Sequence, residues 1–121
     1  MAKIMIVDDS VISRKKLRMI LEAAGHEVVG EISDGTEAVQ KYQELSPELV
    51  TMDVTMPKID GITAVKELMK HDPSVRVVMV TALGKGETIL EALGAGAKNY
   101  ITKPYEDAQV DSAIREALQS A

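Results

Sequence analysis

The chain has no cysteine, no tryptophan and no phenylalanine, and three tyrosines are its only aromatic residues. Without cysteine there is neither a disulfide framework nor a thiolate site, a composition compatible with a reducing compartment. So few rings leave no stacking platform for nucleobases. The core has to be aliphatic, with methionine filling irregular space. The longest apolar runs, Ile4 to Val7 and Val77 to Val80, fall far short of the ~20 residues that a membrane-crossing helix needs. Met1-Ala2-Lys3 leads straight into the first run, so no secretory leader is expected. Lys and Arg number 14 against 19 Asp and Glu, a formal charge of −5. General attraction to nucleic acid or an anionic membrane is therefore not expected. The cluster Arg14, Lys15, Lys16 and Arg18 is a local exception. The expectation is a cytoplasmic monomer.

At 121 residues the chain predicts one domain, 1–121, large enough for its own core. Continuous apolar runs alternate with segments of helical period, the pattern of a parallel sheet covered on both faces. Strands are predicted at Lys3 to Val7, Glu27 to Ile32, Leu49 to Asp53, Val75 to Val80 and Asn99 to Thr102. The first intervening helix carries Leu17, Ile20, Leu21 and Ala24 between a Ser10 cap and Gly25. The second uses Ala38, Val39, Tyr42 and Leu45, and the third, after Gly61, uses Ile62, Val65, Leu68 and Met69. A fourth, with Ile89, Leu90 and Leu93 between glycines that include Gly84 and Gly86, has the weakest propensity and is the element most free to move. The fifth runs from about Glu106 with Val110, Ala113, Ile114 and Ala117. Five βα units with right-handed crossovers predict an α/β fold. Its simplest form is a doubly wound, five-stranded parallel sheet of flavodoxin-like strand order 2-1-3-4-5.

Four of these strands run out into chemistry-bearing residues: Asp8-Asp9, Asp53, Thr81 and Lys103. Strand ends are where open α/β sheets place their sites. Gathering three carboxylates there is costly, since a pair ~4 Å apart repels by about 4 kcal/mol at an effective dielectric near 20. Three in mutual contact cost on the order of 10 kcal/mol, and one ammonium offsets only part. Such a site wants a divalent cation or protonated acids. Oxygen donors alone point to a hard ion, Mg²⁺, with Mn²⁺ able to substitute.

Taken in order, Asp8-Asp9-Ser10, the run Asp53-Val54-Thr55-Met56-Pro57-Lys58-Ile59-Asp60-Gly61, Thr81-Ala82 and Lys103-Pro104 span the chain. Together they resemble the receiver domain of response regulators, of the stand-alone chemotaxis type. The resemblance implies that Asp53 is the phosphoacceptor, attacking phosphorus to give an aspartyl phosphate. Asp9, Asp8, Asp53 and the backbone carbonyl of Thr55 would hold Mg²⁺. Lys103 would pair with Asp53 at rest and with a phosphoryl oxygen afterwards, beside Thr81 and Ala82. Receivers commonly carry a cis bond before the proline at 104. Thr81 and Tyr100 would form the switch, moving the loop at 82–86 and the fourth helix. The small Ala82 would leave the phosphoryl open to water or a phosphatase. Tyr105 stands where phenylalanine is common, and its hydroxyl needs a partner. His26 and His71 are read as surface residues.

The implied partners are a chemotaxis-type histidine kinase, meeting the first helix near Arg14 and Arg18, and an output target such as a flagellar motor switch protein. The target would dock on the face of helix 4, strand 5 and helix 5, where Glu87, Glu91, Lys98, Tyr100, Glu106 and Asp107 lie. A phosphorelay shuttle or phosphate sink is the alternative. A Mg²⁺-dependent phosphatase of haloacid-dehalogenase type wants Asp-x-Asp at the nucleophile, where this chain has Thr55. A flavin site is disfavoured because no hydroxyl-rich phosphate loop follows the first strand and the crevice is acidic.

Overall fold

A strand that is apolar on both sides is stable only in the middle of a sheet with both faces covered, and the chain builds such a sheet. A computed structural model describes residues 2–82 and 86–119. Its strands are β1 (Lys3–Val7), β2 (Glu27–Ile32), β3 (Leu49–Asp53), β4 (Val77–Ala82) and β5 (Asn99–Lys103). The helices are α1 (Val11–Ala23), α2 (Ala38–Leu45), α3 (Gly61–His71), α4 (Gly86–Ala95) and α5 (Asp107–Gln119). All pairings are parallel, in the order β2-β1-β3-β4-β5. Every residue of the central strand β3 is buried. Among the described residues no helix is long and apolar enough to cross a membrane.

Alternation along the strands divides the core in two. On one face Ile4, Ile6, Leu49, Val78, Val80 and Ile101 meet Leu17 and Leu21 of α1 and Val110 and Ile114 of α5. On the other Met5, Val7, Val50, Met52 and Met79 meet Ala38 of α2, Val65 and Leu68 of α3, and Ala92 of α4. The expected caps are present: the Ser10 hydroxyl accepts from the Ser13 amide, and Gly25 ends α1 at φ +92°. Asp60 caps α3 in the same way through the Thr63 amide.

Two local expectations are corrected and one element is added. First, β4 begins at Val77, not Val75, because Asp72 organises a turn: its Oδ1 accepts from the Ser74 amide and hydroxyl, and its carbonyl accepts from the Val75 amide. Second, a short 3-10 turn, Gly35–Glu37, precedes α2, capped by Asp34. Third, α4 does not pack through Leu90 and Leu93, and Ile89 is only half-buried. The helix seats the small residue Ala92, leaving Leu90 72% and Leu93 38% exposed. A close approach beyond its end explains this, for a Cβ on Gly96 would come within 2.7 Å of Met69 Cγ. Gly84, expected in the pliable loop before α4, lies outside the described residues.

Candidate functional site

The same period of two decides which strand ends meet. Ile4 and Ile6 face the α1/α5 core, so the next residue of that parity, Asp8, leaves β1 on that side. Leu49 faces it too and carries Thr51 and Asp53 with it; Ile101 of β5 does the same for Lys103. The result is a convergence. Lys103 Nζ lies 3.6 Å from Asp8 Oδ2 and 3.6 Å from Asp53 Oδ2. Asp9, exposed at the rim, completes a triad in which one oxygen from each of Asp8, Asp9 and Asp53 lies within 4.8 Å of the others.

Asp8 is oriented from both ends. Its amide donates to the Ile32 carbonyl at 2.9 Å, and its Oδ1 accepts from the Ser10 amide at 2.9 Å, leaving Oδ2 for Lys103. Its side chain therefore both supports the start of α1, where negative charge is favoured, and faces the site. Asp53 Oδ1 accepts from the Thr55 amide at 3.4 Å. Burial, reinforced by the negative charge of Asp8, pushes Asp53 up from 3.8 to about 6 even though Lys103 opposes the shift. One ammonium thus leaves the pocket under-neutralised. Hard oxygen donors with uncompensated negative charge fit Mg²⁺, which takes few protein ligands and keeps several waters.

Thr81 is buried at the end of β4, beyond Val80, which pairs with Asp53; Thr81 itself pairs with Thr102, and Ala82 with Lys103. By alternation Thr81 and Tyr100 share the sheet face covered by α3 and α4, with Met79 between them on β4. Tyr100 is 40% exposed and stands back from the carboxylates. The Lys103-Pro104 bond is cis, as expected. Tyr105 is buried under the ammonium of Lys16, 4.9 Å from its ring centre. Burial, then the charges of Asp8 and Asp53, hold its phenol above the ordinary range.

Two contributors escaped the sequence reading. Gly61, read there only as the start of a helix, passes so close to the end of β3 that a Cβ would sit 2.1 Å from the Asp53 carbonyl oxygen. Its amide donates to Val54 O at 2.8 Å, so the absent side chain is what lets the loop from Asp53 to α3 close. The Asp-Gly-Thr run at 34–36 supplies a brace for the same loop: Asp34 accepts from Lys58 Nζ at 3.0 Å, and Lys58 holds a left-handed φ of 70°. Thr36 and Lys58 hold the Asp34 carboxyl down at about 2. The basic cluster on α1 also differs from expectation. Arg14 and Arg18 both bind Glu31 of β2, so neither is a free docking charge. The exposed residues of that helix include Val11, Ile12, Lys15 and Met19.

Comparison with known proteins agrees with this geometry. The response regulator receiver domain family matches residues 4–115. The chain is 45% identical to chemotaxis protein CheY of Thermotoga maritima over 94% of this chain and 95% of that protein. With the CheY of Bacillus subtilis it shares 46% identity, over 96% and 97%. Among solved structures, a CheX-CheY-BeF3-Mg complex from Borrelia burgdorferi superposes with a TM-score of 0.92 at 38% identity, covering 98% of this chain and 90% of that one. Fold, acidic pocket and near full-length similarity agree: this chain belongs to the response-regulator receiver family of two-component signalling, similar to the chemotaxis regulators.

Proposed function

We propose that Asp53 accepts a phosphoryl group from a phosphohistidine of a chemotaxis-type kinase, and that the phosphorylated protein signals by binding a target in the cytoplasm. The observation that carries this reading is the meeting of Asp8, Asp9 and Asp53 with Lys103 3.6 Å from two of them. In the transfer an Asp53 carboxylate oxygen attacks phosphorus, the P–N bond breaks, and the electron pair leaves with the donor imidazole, which takes up a proton. The transition state spreads charge over three equatorial oxygens, so alignment and neutralisation are most of what the protein must provide. Lys103 pairs with one phosphoryl oxygen, and the Thr81 hydroxyl donates to another. Mg²⁺, held by Asp8, Asp9, Asp53 and the Thr55 carbonyl, supplies further charge neutralisation when bound. Asp53 must be ionised to attack; burial and Asp8 oppose this in the metal-free site, and a divalent cation held there would favour the ionised form.

Drawing Thr81 toward the phosphoryl biases Tyr100 and α4 on the same face, which is the differential contact a population shift requires. A target then docks on α4, β5 and α5. Exposed Leu90 and Tyr100, with a groove of about 450 Å³ between β5 and α5, support that surface. The kinase meets α1 through Val11, Ile12 and Met19. The Borrelia complex of CheX, CheY, BeF3 and Mg supports both the metal reading and a second protein as partner. Acetyl phosphate with Mg²⁺ should add one base-labile phosphoryl group to the wild-type protein and none to Asp53→Asn. Equal labelling of the variant overturns the assignment.

A further inference from the structure

We propose that Arg14 is a positioning residue for the metal pair, holding the Asp8-Asp9 peptide in the conformation that presents both carboxylates to one ion. The inference rests on the reading of Asp8, Asp9 and Asp53 as a Mg²⁺ site. Arg14 lies one turn into α1. Its Nη1 donates to the backbone carbonyl of Asp8 at 2.6 Å, while its Nε donates to Glu31 Oε1 at 3.2 Å. Glu31 is fixed in turn, its other oxygen accepting from Arg18 Nη1 at 2.5 Å, and Arg18 Nε is taken by Glu22. The Arg14 side chain is only 14% exposed.

The carbonyl that Arg14 grips belongs to the peptide joining the two candidate ligands. With the Asp8 amide on Ile32 O and the Asp8 carboxylate on the Ser10 amide, the hydrogen bond from Arg14 is the third fixed point on Asp8. It restrains the ψ rotation that would swing Asp9 away. Charge alone cannot explain the arrangement. A cation set beside three carboxylates competes with a metal for their field, so an arginine here lowers metal affinity unless it also orders the ligands. A guanidinium suits the task because its planar fork reaches two acceptors in fixed directions, which an ammonium does not. Ligand-orienting partners of this kind are typically worth about ten- to a hundredfold in metal affinity.

The two effects have opposite signs, which makes the test decisive. Mg²⁺ affinity is measured by calorimetry for the wild type, Arg14→Gln and Arg14→Lys, with hydrogen exchange of the Asp9 and Ser10 amides followed in the metal-free proteins. Positioning predicts that Arg14→Gln binds Mg²⁺ about tenfold more weakly despite losing a repelling cation. It also predicts that Arg14→Lys, which keeps the charge, is weakened in the same direction and exchanges those amides faster. Unchanged or tighter Mg²⁺ binding in the variants overturns the proposal, leaving Arg14 as a tie between α1 and β2. If Arg14→Gln does not fold, Arg14→Lys carries the test alone. A wild-type protein indifferent to Mg²⁺ overturns the metal reading itself, and the proposal with it.

Discussion

Helices α4 and α5 cover opposite faces of the same half of the sheet and are held in opposite ways. Along α5, Val110, Ala113, Ile114 and Ala117 are buried at the period of the helix, while α4 buries Ala92 alone. A buried methylene is worth about 0.8 kcal/mol, so the difference in anchoring is several kcal/mol in favour of α5. Small residues let α4 sit close without interlocking, and its large apolar side chains are left outside. In the proposed function α4 is the element that shifts when Asp53 is modified, and it is held by little beside a helix built as a fixed wall.

The largest expected effect tests that contrast directly. Ile114→Ala should cost about 3 kcal/mol or more, since it removes a fully buried side chain from a packed site. Leu90→Ala should stay within about 0.5 kcal/mol. Urea denaturation of the two variants breaks the comparison if their costs are similar.

A second effect belongs to the charge held on the α1/α5 side. Asp53 titrates near 6 in the folded protein against 3.8 when unfolded, so its raised pKa makes it a burden wherever it is ionised in the folded state. Without metal, Asp53→Asn should therefore be more stable than wild type at pH 7.5, by on the order of 2 kcal/mol. That advantage should shrink as the pH falls through 6 and be gone near 4, when the folded carboxyl is protonated. Denaturation in chelator at both ends of this range measures it; a constant gap would show that burial and Asp8 do not perturb Asp53.

The smallest effect compares two threonines on opposite faces. Among the described residues, Thr51 Oγ1 is the one buried side-chain polar atom with no hydrogen-bond partner, in the core between β3 and the α1/α5 layer. Replacing such a hydroxyl by a methyl of equal size should stabilise, here by about 1 kcal/mol. Thr51→Val should raise stability and leave phosphoryl uptake alone. Thr81→Val, at the site on the other face, should bring no such gain and should lose the phosphate-dependent response. Thermal melts and a target-binding titration separate the two; a destabilised Thr51→Val would mean that its hydroxyl is satisfied after all.

Much of this was legible in the residues because strands and helices differ in period. The apolar runs and their spacing locate five strands and five helices, and they put Asp8-Asp9, Asp53 and Lys103 at strand ends. Val75 reads as the start of β4 because it is as apolar as a strand residue, while the turn that claims it is decided by Asp72 and Ser74, three residues and one residue earlier. The packing face of α4 was misread because hydrophobicity ranks Leu90 above Ala92. Approach distance, which favours the smaller side chain, is not a property of the helix alone.

By itself the sequence determined the fold class and the chemistry available, since alternation, capping residues and the inventory of carboxylates are local and additive along the chain. Tertiary structure alone decided which groups stand within a few ångströms of one another. It set Lys103 between two aspartates and spent Arg14 and Arg18 on Glu31 when the chain left them free for a partner. It also made Gly61 indispensable beside the Asp53 carbonyl. Those outcomes depend on register and on the distance between elements remote in the chain, and a charge or a missing side chain acquires its meaning only when its neighbour is known.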